Sequence, residues 1–457
     1  MSGAKEPLVT VRGLRLSYYT RRGVYRALNG VDLDIYRGEV LGVAGESGCG
    51  KSTLGLTIMG LIPRNAAIEE GEVIVDGFDV VRPLREYFKS TVKKGKKFSP
   101  AKNEDVLKKL HKEMMLLRGT KMSMVFQEPM TTLNPVLPVG YQIAEVVLQH
   151  NPSLLAKRRL ARAKATKEDT KSILSYLKSN DYDGLREFVK SRRLEGIDDQ
   201  AISIWRRRDL HDLVKEIRIL NLCCQSINPI ARPGLEETAK TNRLPSSPIL
   251  RQITRRELIK EGYVKAAEFL GLLGMPEPEK VVKMYPHELS GGMRQRVVIA
   301  TAMINNPELV ILDEPTSALD VTVQAQILEL LRDLKEEIGS AFMFISHDLS
   351  VLYQVSDRIA IMYAGKVVEV GPKEAVFKEP KHPYTQMLLE AVPTLEPHEL
   401  KGIRGEVPDL RNPPPGCMFH PRCPYAMPIC RSKEPPTVDL GNGHKVSCWL
   451  YAGGEGR

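Results

Sequence analysis

The run Gly45-Glu-Ser-Gly-Cys-Gly-Lys51-Ser52 has the residue types and spacing of a phosphate-binding loop. Its glycines let successive backbone N–H groups wrap a polyphosphate, Lys51 neutralises the charge, and the Ser52 hydroxyl ligates magnesium. Glu46, Ser47, Gly48, Cys49, Gly50 and Thr53 complete the expected cradle. A second Gly-rich stretch, Leu289-Ser-Gly-Gly-Met-Arg-Gln-Arg296, sets Ser290 before Gly291, Gly292 and Met293 at the start of a predicted helix, where free N–H groups and the helix dipole suit an anion. A third, Leu309-Val-Ile-Leu-Asp313-Glu314, reads as an apolar strand ending in two carboxylates. Asp313 is the expected partner of magnesium, directly or at one remove, and Glu314 is placed to orient or polarise an attacking water.

These groups need a scaffold that brings them to one edge. Residues 8–16 and 38–44 are β-rich apolar runs, and the second feeds straight into the phosphate loop. After Lys51, Leu54, Ile58 and Leu61 recur at helical spacing until Pro63 stops the helix. Further strands are predicted at 72–76, 121–126, 309–312, 341–345 and 359–362, alternating with helices in an α/β core. Between Gln127 and Ser290 the chain turns charged and helical, broken by Asn228-Pro229, Arg232-Pro-Gly234 and Pro245-Ser-Ser-Pro248, which predicts an inserted helical subdomain. Beyond Gly371 proline increases, and Arg411-Asn-Pro-Pro-Pro-Gly416 reads as an extended linker into a small C-terminal module.

At 457 residues the chain has room for two or three domains. No apolar signal region opens it and no apolar run reaches the roughly 18 residues of a membrane span, so a cytosolic location is expected. The net charge of +10 is uneven: residues 151–256 hold 23 Lys and Arg against 13 Asp and Glu, and residues 84–118 hold 11 against 4. The basic character therefore belongs to these two segments and not to the nucleotide motifs, and a solvated helical face is the expected setting for the charge of 151–256. Of seven cysteines, Cys417, Cys423, Cys430 and Cys448 crowd the C-terminus, where a reducing compartment favours metal binding over disulfides. Cys49 reads as a tolerated loop residue, and Cys223 with Cys224 as partly buried.

Gln127 after one strand, Ser317-Ala-Leu-Asp320 after the carboxylates and Ser346-His347-Asp348 after another strand complete a recognisable set. The chain resembles an ABC-type nucleotide-binding domain, which implies a RecA-like core, a β subdomain and an inserted helical subdomain. The resemblance implies ATP held by Lys51 and Ser52 of one subunit and closed over by Ser290, Gly291 and Gly292 of another. It also implies that Gln127 links magnesium and water to transmembrane subunits, that His347 contacts the γ-phosphate, and that Asp320 communicates across the dimer. Tyr18 is the expected stacking partner of adenine, with Tyr19 its rival.

The match narrows at Phe126-Gln-Glu-Pro-Met-Thr-Thr-Leu-Asn-Pro135, Tyr285-Pro-His-Glu-Leu-Ser-Gly-Gly292, His382-Pro-Tyr-Thr385 and Gly416-Cys-Met-Phe-His-Pro-Arg-Cys-Pro424, which are similar to the dipeptide and oligopeptide transporter ATP-binding subunits. Met293, where the wider family has glutamine, fits that subfamily. The likeness implies one ABC domain over 8–370, its helical subdomain at about 128–290 with a basic insertion at 151–256, and a C-terminal region over 371–457. It implies an iron–sulfur cluster, [4Fe–4S], on the four C-terminal cysteines; their C-x5-C-x6-C-x17-C spacing is wider than that of zinc ribbons, though four thiolates also suit zinc. The implied partners are a second ABC ATPase, two permease subunits and, indirectly, an extracytoplasmic solute-binding protein, at the cytoplasmic face of the membrane. Relatives of this kind serve peptides, oligosaccharides or nickel. A soluble ABC ATPase acting on nucleic acid or ribosomes is the rival class, but Trp205 and three Tyr or Phe residues are sparse stacking material for the 151–256 segment.

Overall fold

The computed structural model describes residues 6–127, 129–164, 167–192, 202, 230–317, 319–391 and 405–452. Cys223, Cys224 and Trp205 lie outside the described residues. The chain forms two compact units, Met1–Glu128 with Asn306–Arg457, and Pro129–Asn305.

The first unit holds two sheets. The larger includes β3 (Val40–Ala44), β6 (Met122–Val125), β7 (Leu309–Asp313), β8 (Ala341–Ile345), β9 (Arg358–Tyr363) and β10 (Lys366–Pro372), joined by the short C-terminal strands β11 (Thr437–Asp439) and β12 (Lys445–Ser447), in the order β11-β12-β10-β9-β3-β8-β7-β6. From β9 to β6 neighbours pair in parallel. Strands β3, β6, β7 and β8 are buried at every position, because a parallel sheet covered on both faces has no solvent side to alternate with. Their parallel direction delivers Gly45, Gln127, Glu314 and Ser346 to one edge, where α/β sheets bind ligands.

The smaller sheet is antiparallel, with β1 (Pro7–Thr20), β2 (Gly23–Tyr36), β4 (Ala66–Val75) and β5 (Phe78–Asp79) in the order β2-β1-β4-β5. Strands β2, β5, β10, β11 and β12 are additions to the predicted set. The alternation Val31-Asp-Leu-Asp-Ile35 in β2 was a period-two signal, with Val31, Leu33 and Ile35 all buried. The predicted helix runs over Lys51–Ile58 and ends before Pro63 is reached, because Gly60 takes φ 61 and the Leu61 N–H bonds back to the Leu56 carbonyl at 2.8 Å. That left-handed turn satisfies the last carbonyls. The helices Arg82–Lys93 and Pro100–Met114 hold much of the 84–118 charge and bury Leu84, Leu107, Leu110 and Met114. The C-terminal region beyond Gly371 is continuous with this unit, since β12 pairs with β10 through Glu369↔Val446 and Val370↔Lys445.

The second unit is helical. Gly262 in the helix Pro248–Leu272 lies so close to Val139–His150 that an added Cβ would stand 2.6 Å from the Ala144 methyl. The inserted helices have a small core of their own around Ile173, Leu177, Leu185, Val189 and Ile202. A solvated face does not account for all of the basic charge here. Arg158 is 3% exposed and bonds Glu261 at 3.1 Å and Glu268 at 2.6 Å, and buried Arg159 bonds Glu257 at 2.8 Å. The acids lie about a hundred residues downstream on Pro248–Leu272, which is why sequence reading could not pair them.

Candidate functional site

Gly45, Gly48 and Gly50 take φ of 150, 79 and 104, and a Cβ on Gly45 would meet the Met362 carbonyl oxygen at 2.2 Å. Only glycine fits there, because the loop turns sharply with β9 backbone pressed against it. Lys51 is buried, and its ammonium donates to the carbonyls of Gly45 at 2.7 Å and Glu46 at 3.2 Å. Cys49 is buried with its Sγ 3.8 Å from that ammonium, and burial pushes its thiol up, the opposite of a reactive cysteine.

Ser52 Oγ donates to Asp313 Oδ1 at 3.1 Å, which joins the loop helix to the end of β7. Burial raises the Asp313 carboxyl above its ordinary range; the Ser52 bond opposes this, Glu314 adds to it, and Lys51 opposes it more weakly. A cation would relieve that cost directly. Glu314 sits in left-handed backbone, φ 48, with its N–H on the Ile345 carbonyl at 3.0 Å. That conformation is uncommon for a residue other than glycine and marks the end of β7 as a constrained turn. One carboxylate oxygen lies 3.0 Å from His347 Nδ1, and the other accepts from Gln127 Nε2 at 3.4 Å. Asp348, following His347, caps the helix Leu349–Val355 by accepting from Ser350 N at 2.8 Å.

A cavity of about 420 Å³ is lined by the loop residues Ser47, Gly48, Gly50, Lys51, Ser52 and Thr53 together with Gln127, Glu314 and His347. Tyr25 also lines it, its hydroxyl donating to the Gly48 carbonyl at 3.2 Å. Tyr25 was missed because β2 was not read as a strand. The Tyr18 hydroxyl lies 3.2 Å from Thr53 Oγ1. Tyr19 is engaged elsewhere, in an aromatic group with Phe98 at 4.7 Å and Phe88 at 6.5 Å. Asp320 caps the helix Val321–Ile338, accepting from Val323 N at 3.0 Å. Ser290 belongs to the second unit, where its side chain accepts from Met293 N at 3.3 Å and caps the helix Gly291–Met303.

Cys417, Cys423, Cys430 and Cys448 line one small cavity with Phe419 and Trp449. Burial pushes the Cys417 and Cys423 thiols up, and the Cys448 thiol up to about 11. The expected metal module is not supported by this arrangement: no group of three or more His, Cys, Asp or Glu among the described residues is set to hold a metal ion. No helix among the described residues is long and apolar enough to cross a membrane.

The ABC transporter family model matches residues 28–317, and that of the oligopeptide/dipeptide transporter C-terminal region matches 368–430. The chain is 33% identical over 448 residues to the dipeptide transport ATP-binding protein DppD of Bacillus subtilis (strain 168), covering 97% of this chain and 95% of that one. It is 35% identical over 447 residues to the oligopeptide transport ATP-binding protein OppD of the same organism, covering 97% and 88%. It is 33% identical over 446 residues to a probable peptide ABC transporter ATP-binding protein of Sinorhizobium fredii, covering 97% and 94%.

Proposed function

Because the chain belongs to the ABC transporter ATP-binding family, we propose that it powers an importer for dipeptides, oligopeptides or related solutes. It is an ATPase of the ABC type. The observation that carries the site reading is the convergence of Lys51, Ser52, Gln127, Glu314 and His347 on one cavity. Loop N–H groups and Lys51 receive the phosphates, the ammonium exchanging the Gly45 and Glu46 carbonyls for phosphate oxygens. Ser52 and Asp313 would hold magnesium, which when bound neutralises charge that develops on the transferring phosphoryl group. Glu314 orients the attacking water and takes up its proton, steadied by His347 and Gln127. Tyr18 and Tyr25 touch the loop through their hydroxyls, and Tyr18 is the proposed partner of adenine.

The division adopted is one ABC domain over 8–370, its helical subdomain at about 128–290, and a C-terminal region from 371. Ser290, Gly291, Gly292 and Met293 of a second ATPase chain complete the site, and Asp320 couples the two. Two permease subunits at the cytoplasmic face of the membrane receive the motion, and a solute-binding protein delivers cargo to them. The relatives' printed roles in dipeptide and oligopeptide transport support peptide over oligosaccharide or nickel. At the cysteines the donor set of four thiols around one cavity suits a [4Fe–4S] cluster, with zinc the alternative, and would staple a region poor in apolar core.

Purification of the native complex from membranes tests the assignment. Two polytopic subunits, a second ATPase and magnesium-dependent hydrolysis stimulated by peptide-loaded binding protein are expected. Co-sedimentation with ribosomes in place of polytopic partners overturns it. Anaerobic preparation should yield iron and acid-labile sulfide in comparable amounts; stoichiometric zinc without sulfide, or no metal at all, removes the cluster.

A further inference from the structure

We propose that Arg422 is a positioning residue for ATP binding, clamping Glu46 and through it the phosphate loop. The inference rests on the ATPase reading and assigns work to the C-terminal region within it. Arg422 lies 376 residues from Glu46 in sequence, yet its Nη1 donates to Glu46 Oε2 at 2.8 Å and its Nη2 to Oε1 at 3.0 Å. Two parallel bonds between planar groups fix direction as well as distance. The Arg422 side chain is only 3% exposed, so the carboxylate replaces much of the hydration that the guanidinium has lost.

Glu46 is gripped at every polar group it has. Its carboxylate meets Arg422, its N–H donates to the Tyr384 hydroxyl at 2.9 Å, and its carbonyl accepts from Lys51 at 3.2 Å. The first two partners come from the region beyond residue 371, and the third is the phosphate-binding lysine itself. Arg422 is held in turn, its guanidinium carbon 5.7 Å from the Tyr363 ring centroid and its Nη1 donating to the Tyr363 hydroxyl at 3.4 Å. Tyr363, Tyr384 and Phe419 pack against one another in tilted and edge-to-face contacts with centroids 4.6 to 5.4 Å apart, which gives the clamp a rigid base. A further tie runs along the same rim, where Arg26 N, next to Tyr25, donates to the Leu410 carbonyl at 3.1 Å. A loop whose work depends on N–H groups converging within a few tenths of an ångström is thus braced from outside the sequence that encodes it.

The test is ATP titration of hydrolysis by the assembled complex carrying Arg422→Met, Arg422→Lys, Glu46→Gln or Arg422→Met with Glu46→Gln. Arg422→Met should raise the ATP KM about tenfold while lowering kcat less than about threefold, because the interaction is made in the ground state as well as the transition state. Lysine keeps the charge but not the fork, so Arg422→Lys should fall between wild type and Met. The double variant should be no worse than the worse single, since both changes break one link. A wild-type KM in Arg422→Met overturns the inference, as does a double variant whose effects multiply. Should Arg422→Met not fold, a wild-type KM in Arg422→Lys overturns it equally. A wild-type complex without magnesium-dependent turnover sinks the ATPase reading itself, whereas normal turnover with indifferent Arg422 variants sinks only the clamp.

Discussion

His347 Nδ1 stands 3.0 Å from Glu314 Oε1, while Gln127 donates to the opposite carboxylate oxygen at 3.4 Å. The carboxylate at the end of β7 is therefore aimed by groups following β8 and β6, so a water beside it is met in one orientation. Glu314→Gln keeps the shape and loses the base. Turnover in the assembled complex should fall by about 10²- to 10⁴-fold with ATP affinity nearly intact. Near-normal steady-state hydrolysis would count heavily against the role given to Glu314.

Lys51→Ala should behave in the opposite way. It removes a cation from the polyphosphate and frees two loop carbonyls, so nucleotide binding should weaken by about 10- to 100-fold. Equilibrium binding of a labelled nucleotide reads this directly, and an unchanged affinity excludes Lys51 as the phosphate ligand.

The motifs were legible because their chemistry is local. A glycine pattern after an apolar run, or two acids closing a strand, states its own geometry, and residues 45–53, Asp313, Glu314 and His347 need only the parallel order of β3, β7 and β8 to meet. What stayed hidden depends on distant pairing. Tyr25 needed β2, the Arg422 fork needed Glu46, and Arg158 needed Glu261. The cysteine spacing carried a donor set but no separation between sulfurs, so the shared cavity of the four cysteines became visible only in the fold.

Asp313 has a carboxyl raised by burial, and the sign of its linkage follows. Above its ordinary range the unfolded chain has already released the proton while the folded chain still holds it, so stability falls as pH rises through the folded value. At neutral pH the ionised, buried group opposes folding of the nucleotide-free protein. Asp313→Asn should therefore raise its melting temperature at neutral pH while removing magnesium-dependent hydrolysis. A lower melting temperature would show that the carboxylate is better paired than Ser52 alone allows.

Arg158→Met should cost about 3–5 kcal/mol of stability, because it takes a buried cation from Glu261, itself 2% exposed, and a bond from Glu268. Replacing both Arg158 and Glu261 by Met should recover the part of that loss that belongs to the Arg158–Glu261 pair, leaving the part due to Glu268. The same pairing decides how the insertion can be trimmed: a deletion of 151–256 strips both arginines from acids that remain at 257 and 261, and should destabilise the second unit. Chemical denaturation of the single and double variants measures the effect, and equal stability of Arg158→Met and wild type would place the pair among the neutral ones.

His382 reports on the region that carries Arg422. It is 2% exposed, and burial pulls its imidazole down to about 3. Its Nδ1 accepts from Tyr384 N at 3.0 Å, and the His382 backbone N–H donates to Glu369 Oε2 at 2.9 Å; the other Glu369 oxygen lies 2.8 Å from His444 Nε2. The unfolded chain takes up a proton near the ordinary imidazole value of 6.5, whereas the folded chain resists until about 3. Between those values the unfolded state binds more protons, so stability falls with falling pH by about 1.4 kcal/mol for each unit this histidine contributes. Asparagine keeps an acceptor for the Tyr384 N–H and cannot titrate. His382→Asn should remove one proton's share of the slope in a melting-temperature profile across that window, and an unaltered slope would mean that water reaches the imidazole.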